Sequence, residues 1–540
     1  MRLSDLIGAG ALSRALANRW RLADGPSSPS FTRTSLLFLT SAVACLVIAD
    51  IAITARHPWA ELQRLMYGIL RADFMSVEAW SVVLTVAFAV IGVSIGATVG
   101  LGLAVIYPNS RAVRVIALVL RSIHELFWAL LLIQVFGVGP VTGILAIALP
   151  YSGIFAKVFA EMIEEADLSA VRVLPVGTST ISAFVYARLP ELAGRFRTYT
   201  LYRLECGLRS TLVLGFVGLP TVGYHLESYF KQGHYAQAAA LLGVFYVLIG
   251  TRRLWARPAT LPFLLIGSIL VLPATIGGSS ALVNVVRFFG HDIVPAPLRV
   301  GEWTAWSTWS ALGAWFQPIF VGQILPGAWN TLVLSQIALV SMGLLSLILF
   351  PLVSRRFFGP AGQTAGRVLL VVVRSTPEYM LAYVLLQLMG PSMLPAIIAL
   401  AVHNAGIVGY LMGRHADALD YRADAPTGLN LYAYETVPRL YGQFLAYMLY
   451  RWEIIVRESA IFGILGVRTL GFHVDGVISE LRFDVAVVLM MATVLLSAGI
   501  DWISRRLRKS LRISTLPTRL SDGPVSSGDV PSDAIGMQRP

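Results

Sequence analysis

The sequence predicts an all-α integral membrane protein of about twelve transmembrane helices, arranged as two parallel six-helix repeats. Three observations predict it. The 540 residues are 56% hydrophobic and only 13% charged, where soluble domains carry roughly 25% charged residues, and the mean hydropathy is +0.71. A polar, basic stretch occurs twice in one register. Arginine clusters alternate with the apolar runs so that they all fall on one side of a membrane, as the positive-inside rule requires.

The repeated stretch reads YARLPELAGRFRTYTLYRLE at 186–205 and YETVPRLYGQFLAYMLYRWE at 434–453. At an offset of 248, Tyr186, Pro190, Gly194, Phe196, Tyr199, Tyr202, Arg203 and Glu205 recur as Tyr434, Pro438, Gly442, Phe444, Tyr447, Tyr450, Arg451 and Glu453. The same offset holds through Arg209/Arg457, Gly215/Gly463, Gly218/Gly466, Gly223/Gly471 and His225/His473. Upstream, RSIHELFWALLLIQ at 121–134 aligns with RSTPEYMLAYVLLQ at 374–387, offset 253, and Gly137 and Gly153 keep that offset with Gly390 and Gly406. The second copy has therefore lost five residues within its long loop.

A spanning helix needs about 20 apolar residues. The candidates are 35–54, 80–106, 115–136, 139–160, 208–224, 236–251, 260–276, 327–353, 367–389, 392–412, 457–472 and 485–504, with 208–224 and 457–472 short and interrupted by glycine. Alternating them puts the tail arginines (Arg14, Arg19, Arg21, Arg33), Arg111–Arg114, the long loop with Arg195 and Arg197, Arg252–Arg257, Arg355–Arg356, the loop with Arg414, Arg422 and Arg439, and Arg505–Arg512 on one side. That side is predicted to be cytoplasmic, with both termini on it, in a bacterial inner membrane. The net charge of +12 is thus a topology signal, not a nucleic-acid footprint. Trp303, Trp306, Trp309 and Trp315 are expected at the outer interface. The domains expected are a tail at 1–34, a first half at 35–259 (core 80–251), a second half at 260–510 (core 327–505), and a disordered tail at 511–540 rich in Ser, Pro and Asp. Cys45 and Cys206 have no evident disulfide partner.

Each half carries its long cytoplasmic loop between its fourth and fifth span. In the first, Gly177 precedes Leu189-Pro190; in the second, Gly428 precedes Val437-Pro438 at a shorter gap. Glycine allows a sharp turn, and proline suits the first turn of the helix that follows, so a helix, turn, helix docking element is expected. This resembles the EAA loop of ABC importer permeases: Glu-Ala-Ala, three residues, Gly, nine residues, Ile-x-Leu-Pro. Ala187 takes the Ile place, Val171-Arg172-Val173 stands where Glu-Ala-Ala would be, and Arg422-Ala423-Asp424 stands there in the second copy. Arg121-Ser-Ile-His-Glu125, Arg374-Ser-Thr-Pro-Glu378 and the block from Tyr202 through Arg209 to Gly218 are similar to the phosphonate/phosphite permease family, with His124 where the family has proline. The resemblance implies two permease halves fused in one chain with a type I importer fold. It implies two ABC ATPase subunits on the cytoplasmic side, docking at Gly177, Leu189, Pro190, Gly194, Gly428, Pro438 and Gly442. It also implies a periplasmic or lipid-anchored binding protein, and a phosphonate-like oxyanion as cargo.

Charges inside a span are functional suspects by default. Arg121 and Glu125, and Arg374 and Glu378, are four apart and expected to pair on one helical face, either as internal ion pairs or with the arginines open to the translocation path. Arg203, Glu205, Arg209, Arg451, Glu453 and Arg457 are expected near the cytoplasmic edge, as structural or coupling residues, with Glu205/Arg209 as another such pair. No Gly-x-x-x-x-Gly-Lys-Ser/Thr loop, metal-spaced Cys/His set or nucleophile elbow occurs, so the chain is expected to bind no cofactor or metal and to catalyse nothing, ATP and magnesium belonging to the partner ATPase. The alternative is a twelve-helix secondary transporter for a small anion. In that class the longest cytoplasmic loop usually joins the halves, whereas here the junction at 251–259 is short.

Overall fold

A computed structural model of the chain describes residues 29–166, 174–175, 177–272, 278–422 and 424–511. The expected surface helix at 1–20, the tail beyond 511 and the Val171-Arg172-Val173 motif lie outside the described residues. Within them every regular element is helical. Six helices are long and apolar enough to cross a membrane, or nine if three sharply bent pairs each count as one span. Large apolar side chains such as Leu37, Val47, Phe263, Leu270, Ile348 and Leu495 stand exposed along them, which suits a lipid-facing surface and not an aqueous one.

The principal helices are α1 (Pro29–Ile48), α2 (Pro58–Leu70), α3 (Ala79–Ile106), α4 (Arg111–Ser122), α5 (Glu125–Phe136), α6 (Pro140–Glu164), α7 (Leu189–Val213), α8 (Val222–Gln232) and α9 (Tyr235–Gly250). They continue with α10 (Leu261–Val271), α11 (Leu325–Leu349), α12 (Pro360–Ser375), α13 (Glu378–Met389), α14 (Met393–Asp417), α15 (Val437–Glu458), α16 (Leu470–Ser479) and α17 (Phe483–Ser510). Helices α3–α9 and α11–α17 follow the same order, and the repeated residues occupy matching places in them. The α3–α6 and α11–α14 pairs form the centre of each half. On α3 the stripe Gly92, Gly96, Gly100 lies against Ile147, Tyr151 and Phe155 of α6 so closely that a Cβ on Gly100 would come within 2.4 Å of the Phe155 Cβ. Small residues four apart let membrane helices approach in this way.

Four of the predicted spans are not straight helices. The 115–136 run breaks at Ile123–His124 with a bend of 96°, and 367–389 breaks at Thr376–Pro377 with a bend of 88°. Proline disfavours helix in the residue before it, and Thr376 is extended there. In the first half His124 stands in its place and caps α5 itself, its Nδ1 accepting from the Leu126 amide at 3.3 Å. The departure from the family's proline therefore leaves the break intact. The run 208–224 is likewise two helices, α7 and α8, joined at Gly218, and 457–472 is the end of α15, a turn at Gly466 and the start of α16. Two repeated glycines close these elbows: a Cβ on Gly223 would meet the Leu212 carbonyl oxygen at 2.0 Å, and one on Gly471 the Ala460 oxygen at 1.8 Å. Thr85 and Thr331 accept the first amides of α8 and α16, at 3.0 and 3.1 Å.

The loop element also differs from a plain helix, turn, helix. Gly177 and Gly428 take φ of +94° and +64°, the turn that glycine allows. Pro190 and Pro438, however, do not begin a separate helix. Each follows directly on a π-helical turn, Phe184–Arg188 or Leu431–Thr436, that runs into α7 or α15. A proline has no N–H to donate and crowds the preceding turn, and the wider π turn absorbs that inside a continuous helix. The Trp-rich stretch is largely helical too, since Trp306–Val353 forms one run of 48 residues. At 1.5 Å per residue that is about 72 Å, more than twice the hydrocarbon thickness.

The outlying helices cross over. Helix α1 lies against α11 of the other half, where Gln336 Nε2 donates to Ser41 Oγ at 2.8 Å and Phe38 meets Trp452 edge-on. Helix α10 lies in turn against α3. Each core thus carries the helix that sequence order assigns to the other half.

Replacing Gly223 or Gly471 by alanine is expected to lower the midpoint of thermal unfolding in detergent, by the equivalent of about 1–3 kcal/mol. The same change at Gly194 or Gly442, whose added Cβ would meet nothing within 4 Å, is expected to leave stability unchanged or raise it by up to about 1 kcal/mol.

Candidate functional site

The two helix breaks and the ends of α7 and α15 converge on one cavity of about 480 Å³ between the halves. Repeated positions line it in pairs: Glu125 and Glu378, Tyr199 and Tyr447, Tyr202 and Tyr450, Arg203 and Arg451, Arg209 and Arg457. Arg121, His124, Lys157, Glu161, His403, Glu453 and Glu458 supply the rest of its acidic and basic side chains.

A broken helix leaves the last carbonyls of its first arm without helical partners. Arg457 of the second half donates to the Arg121 carbonyl at the end of α4, at 2.8 Å. Arg209 of the first half donates to the Arg374 carbonyl at the end of α12, at 3.2 Å. The side chains at those helix ends are held across the interface as well. Arg121 pairs with Glu453 and, at 3.1 Å, with Asp501. Arg374 pairs with Glu205 at 3.7 Å, and Arg252 joins that carboxylate at 2.8 Å. The grips are reciprocal, but their charge is not: one site sets a guanidinium against two carboxylates, the other a carboxylate against two guanidiniums.

These contacts correct three expectations. Arg121 does not pair with Glu125, nor Arg374 with Glu378, because the helix turns by roughly a right angle between them. Glu125 instead accepts from Ser210 Oγ at 2.8 Å, and Glu378 lies 3.7 Å from His403 Nε2. Glu205 and Arg209 share one helix and do not pair with each other: Glu205 takes the Arg374 guanidinium, and Arg209 donates to the Arg374 carbonyl. Arg203, Arg209, Arg451, Glu453 and Arg457, expected as structural or coupling residues, all line the cavity. Of the four proposed path residues, Arg121, Glu125 and Glu378 line it, while Arg374 stacks on Tyr410, 4.7 Å from the ring centroid. The loop residues Gly177, Leu189, Pro190, Gly194, Gly428, Pro438 and Gly442 are not among its lining residues.

His403 was missed in the sequence because it has no repeated counterpart; Pro150 occupies its place in the first half. Its Nδ1 is 2.8 Å from the Thr376 carbonyl, which only accepts, and its Nε2 is 3.1 Å from Arg209 Nη1, which only donates. The ring is therefore neutral, with its proton on Nδ1. Glu378, His403 and Glu458 bring three possible ligand atoms within 4.8 Å of one another. Arg209 already occupies the imidazole lone pair, however, and its charge opposes a cation there.

An all-helical membrane protein whose two like halves meet around a charged cavity is built as a transport permease. Over 470 residues the chain is 27% identical to the phosphate-import permease protein PhnE of Mycolicibacterium smegmatis, covering 79% of this chain and 84% of that one. It is 28% identical over 188 residues to the phosphite transport system permease protein PtxC of Stutzerimonas stutzeri, covering 33% of this chain and 68% of that one. PtxC is thus about half as long, as expected if two permease halves are joined here. No family model and no solved structure matches the chain. Over most of its length the chain is thus similar to permease proteins of phosphate and phosphite transport systems.

Removing the carboxylate of Glu205 leaves two half-buried guanidiniums without a counter-charge, whereas removing that of Glu453 leaves Arg121 on Asp501. Glu205→Gln is therefore expected to destabilise by about 1–3 kcal/mol and Glu453→Gln by clearly less, as read from thermal unfolding of the two variants in the same detergent.

Proposed function

We propose that the chain is the complete permease of an ATP-driven importer, carrying a phosphonate-like phosphorus oxyanion across a bacterial inner membrane. The single observation that carries this is the cavity: it lies between two like halves, at paired breaks in their helices, and it is lined by paired arginines, in a chain related to phosphate and phosphite permeases. Guanidinium is planar, permanently charged and suited to tetrahedral oxyanions. Counting each bent helix as one span, and α9, α10 and the α15–α16 pair as spans too, gives twelve spans in two parallel six-helix sets, a type I importer arrangement with both termini cytoplasmic. The cores are 80–251 and 327–505, each completed by the outlying helix of the other half.

The partners are two ATPase subunits, which hold the ATP and magnesium, and an external binding protein that delivers the anion. The ATPases dock at the paired loops around Gly177–Gly194 and Gly428–Gly442. Each loop runs without interruption into α7 or α15, and those helices carry Arg203 and Arg209, or Arg451 and Arg457, into the cavity wall. Movement of a loop by its ATPase thus reaches the cavity through one rigid helix. Such a repacking of half against half is how alternating access proceeds.

ATP-dependent uptake of phosphite or methylphosphonate by proteoliposomes holding the permease, its ATPases and its binding protein tests this. Uptake is expected, and its absence for every phosphorus anion would remove the substrate class. Gly177→Val and Gly428→Val force a β-branched residue into positive φ at a cost of about 1–3 kcal/mol. Each is expected to lower uptake more than ATP hydrolysis, measured side by side.

A further inference from the structure

We propose that Arg203 and Arg451, with the tyrosines that line the cavity beside them, form its oxyanion-holding subsite; this rests on the importer reading above. The geometry selects them by elimination. Of the six basic side chains lining the cavity, Arg121 is held by Glu453 and Asp501, and Lys157 lies 4.0 Å from Glu161. Arg457 is held by the Arg121 carbonyl. Arg209 is held by the Arg374 carbonyl, the His403 ring and, at 3.3 Å, the Cys206 sulfur. Arg203 donates only its Nε, to Tyr199 Oη at 2.8 Å, and lies 5.2 and 5.8 Å from the ring centroids of Tyr199 and Tyr202. Arg451 has no hydrogen bond and no ion pair among the described residues.

These two arginines occupy equivalent positions in the repeat. A guanidinium inside a membrane protein needs a counter-charge, or a cavity in which an anion can provide one. Here the two whose Nη atoms have no partner among the described residues occupy equivalent positions in the repeat, so a tetrahedral oxyanion can be taken from both sides by Nη donors. Tyr202 and Tyr450, whose hydroxyls have no partner among the described residues, add two further donors. Their rings offer an apolar wall to a substituent that makes no hydrogen bond, such as the P–H of phosphite or the P–CH₃ of methylphosphonate. The neighbouring charges are a separate set, used to fasten the halves together.

The test uses the full-length chain in lipid nanodiscs, with sodium phosphite as probe and thermal unfolding as readout. Phosphite is expected to raise the midpoint of the unaltered protein. It is expected not to move that of R203Q/R451Q, which should fold at least as well without anion because it no longer holds two uncompensated charges. R121Q, which breaks a cross-half pair, should unfold earlier in both buffers and keep the phosphite-dependent rise. An equal rise in R203Q/R451Q, or no rise in the unaltered protein, would overturn the assignment. In proteoliposomes with the partner subunits, phosphite uptake by R203K/R451K, which keeps charge but loses the planar fork, should show a KM raised about tenfold, the equivalent of one lost charged hydrogen bond. If the unaltered complex takes up phosphite and the lysine variant matches it, only the arginine assignment falls. If the unaltered complex takes up no phosphorus anion, the importer reading beneath it falls too.

Discussion

Two guanidinium groups, each reaching across to the other half to satisfy the end of a broken helix, are the contacts on which the rest of the structure depends. A helix cannot turn by nearly 90° inside a bilayer without orphaning carbonyls, and lipid offers them nothing. Arg457 and Arg209 resolve this for one another's halves. Because the donor and the break lie on different halves, neither half can complete its own fold. The breaks in turn aim the first residues of α5 and α13, Glu125 and Glu378, at the cavity. Fold and site are the same arrangement seen from two sides.

Duplication made much of this legible in the sequence. Matching residues at two fixed offsets identified the halves, the elbow glycines and the arginine set before any coordinates. Partner choice was not legible. Arg121 and Glu125 sit four apart, and spacing alone makes that an ion pair. The bend between them depends on Pro377 in one half and on a capping histidine in the other, and His124 is no obvious helix breaker. The elbows were hidden for a different reason: hydropathy runs straight through Gly218 and Gly466, so the 208–224 and 457–472 stretches read as short spans instead of two joined helices. Likewise the depth of Arg203 and Arg451 could not be read, because a polar, basic stretch looks the same whether it borders water in the cytoplasm or in an enclosed cavity.

The two halves are alike in plan and unlike in charge. Arg121 faces two carboxylates and Glu205 faces two guanidiniums, while Tyr151 and Ser210 of the first half correspond to Asn404 and Glu458 of the second. A dimer of identical chains would have to use one solution twice. Joining the halves freed each side of the cavity to diverge, and the divergence is concentrated where the halves touch. Tyr151 and Ser210 pair as hydroxyls at the cavity wall, where the second half sets Glu458 on the Asn404 amide.

The crossing of α1 and α10 has a consequence for how the molecule is made. Helix α1 is made well before α11, yet the groove that receives it is formed by α11, which begins at Leu325. Until then its buried polar partner, Gln336, does not exist, and the segment must wait in lipid as an unpaired hydrophobic rod. A chain that stops before Leu325 would therefore leave α1 without the surface on which it packs.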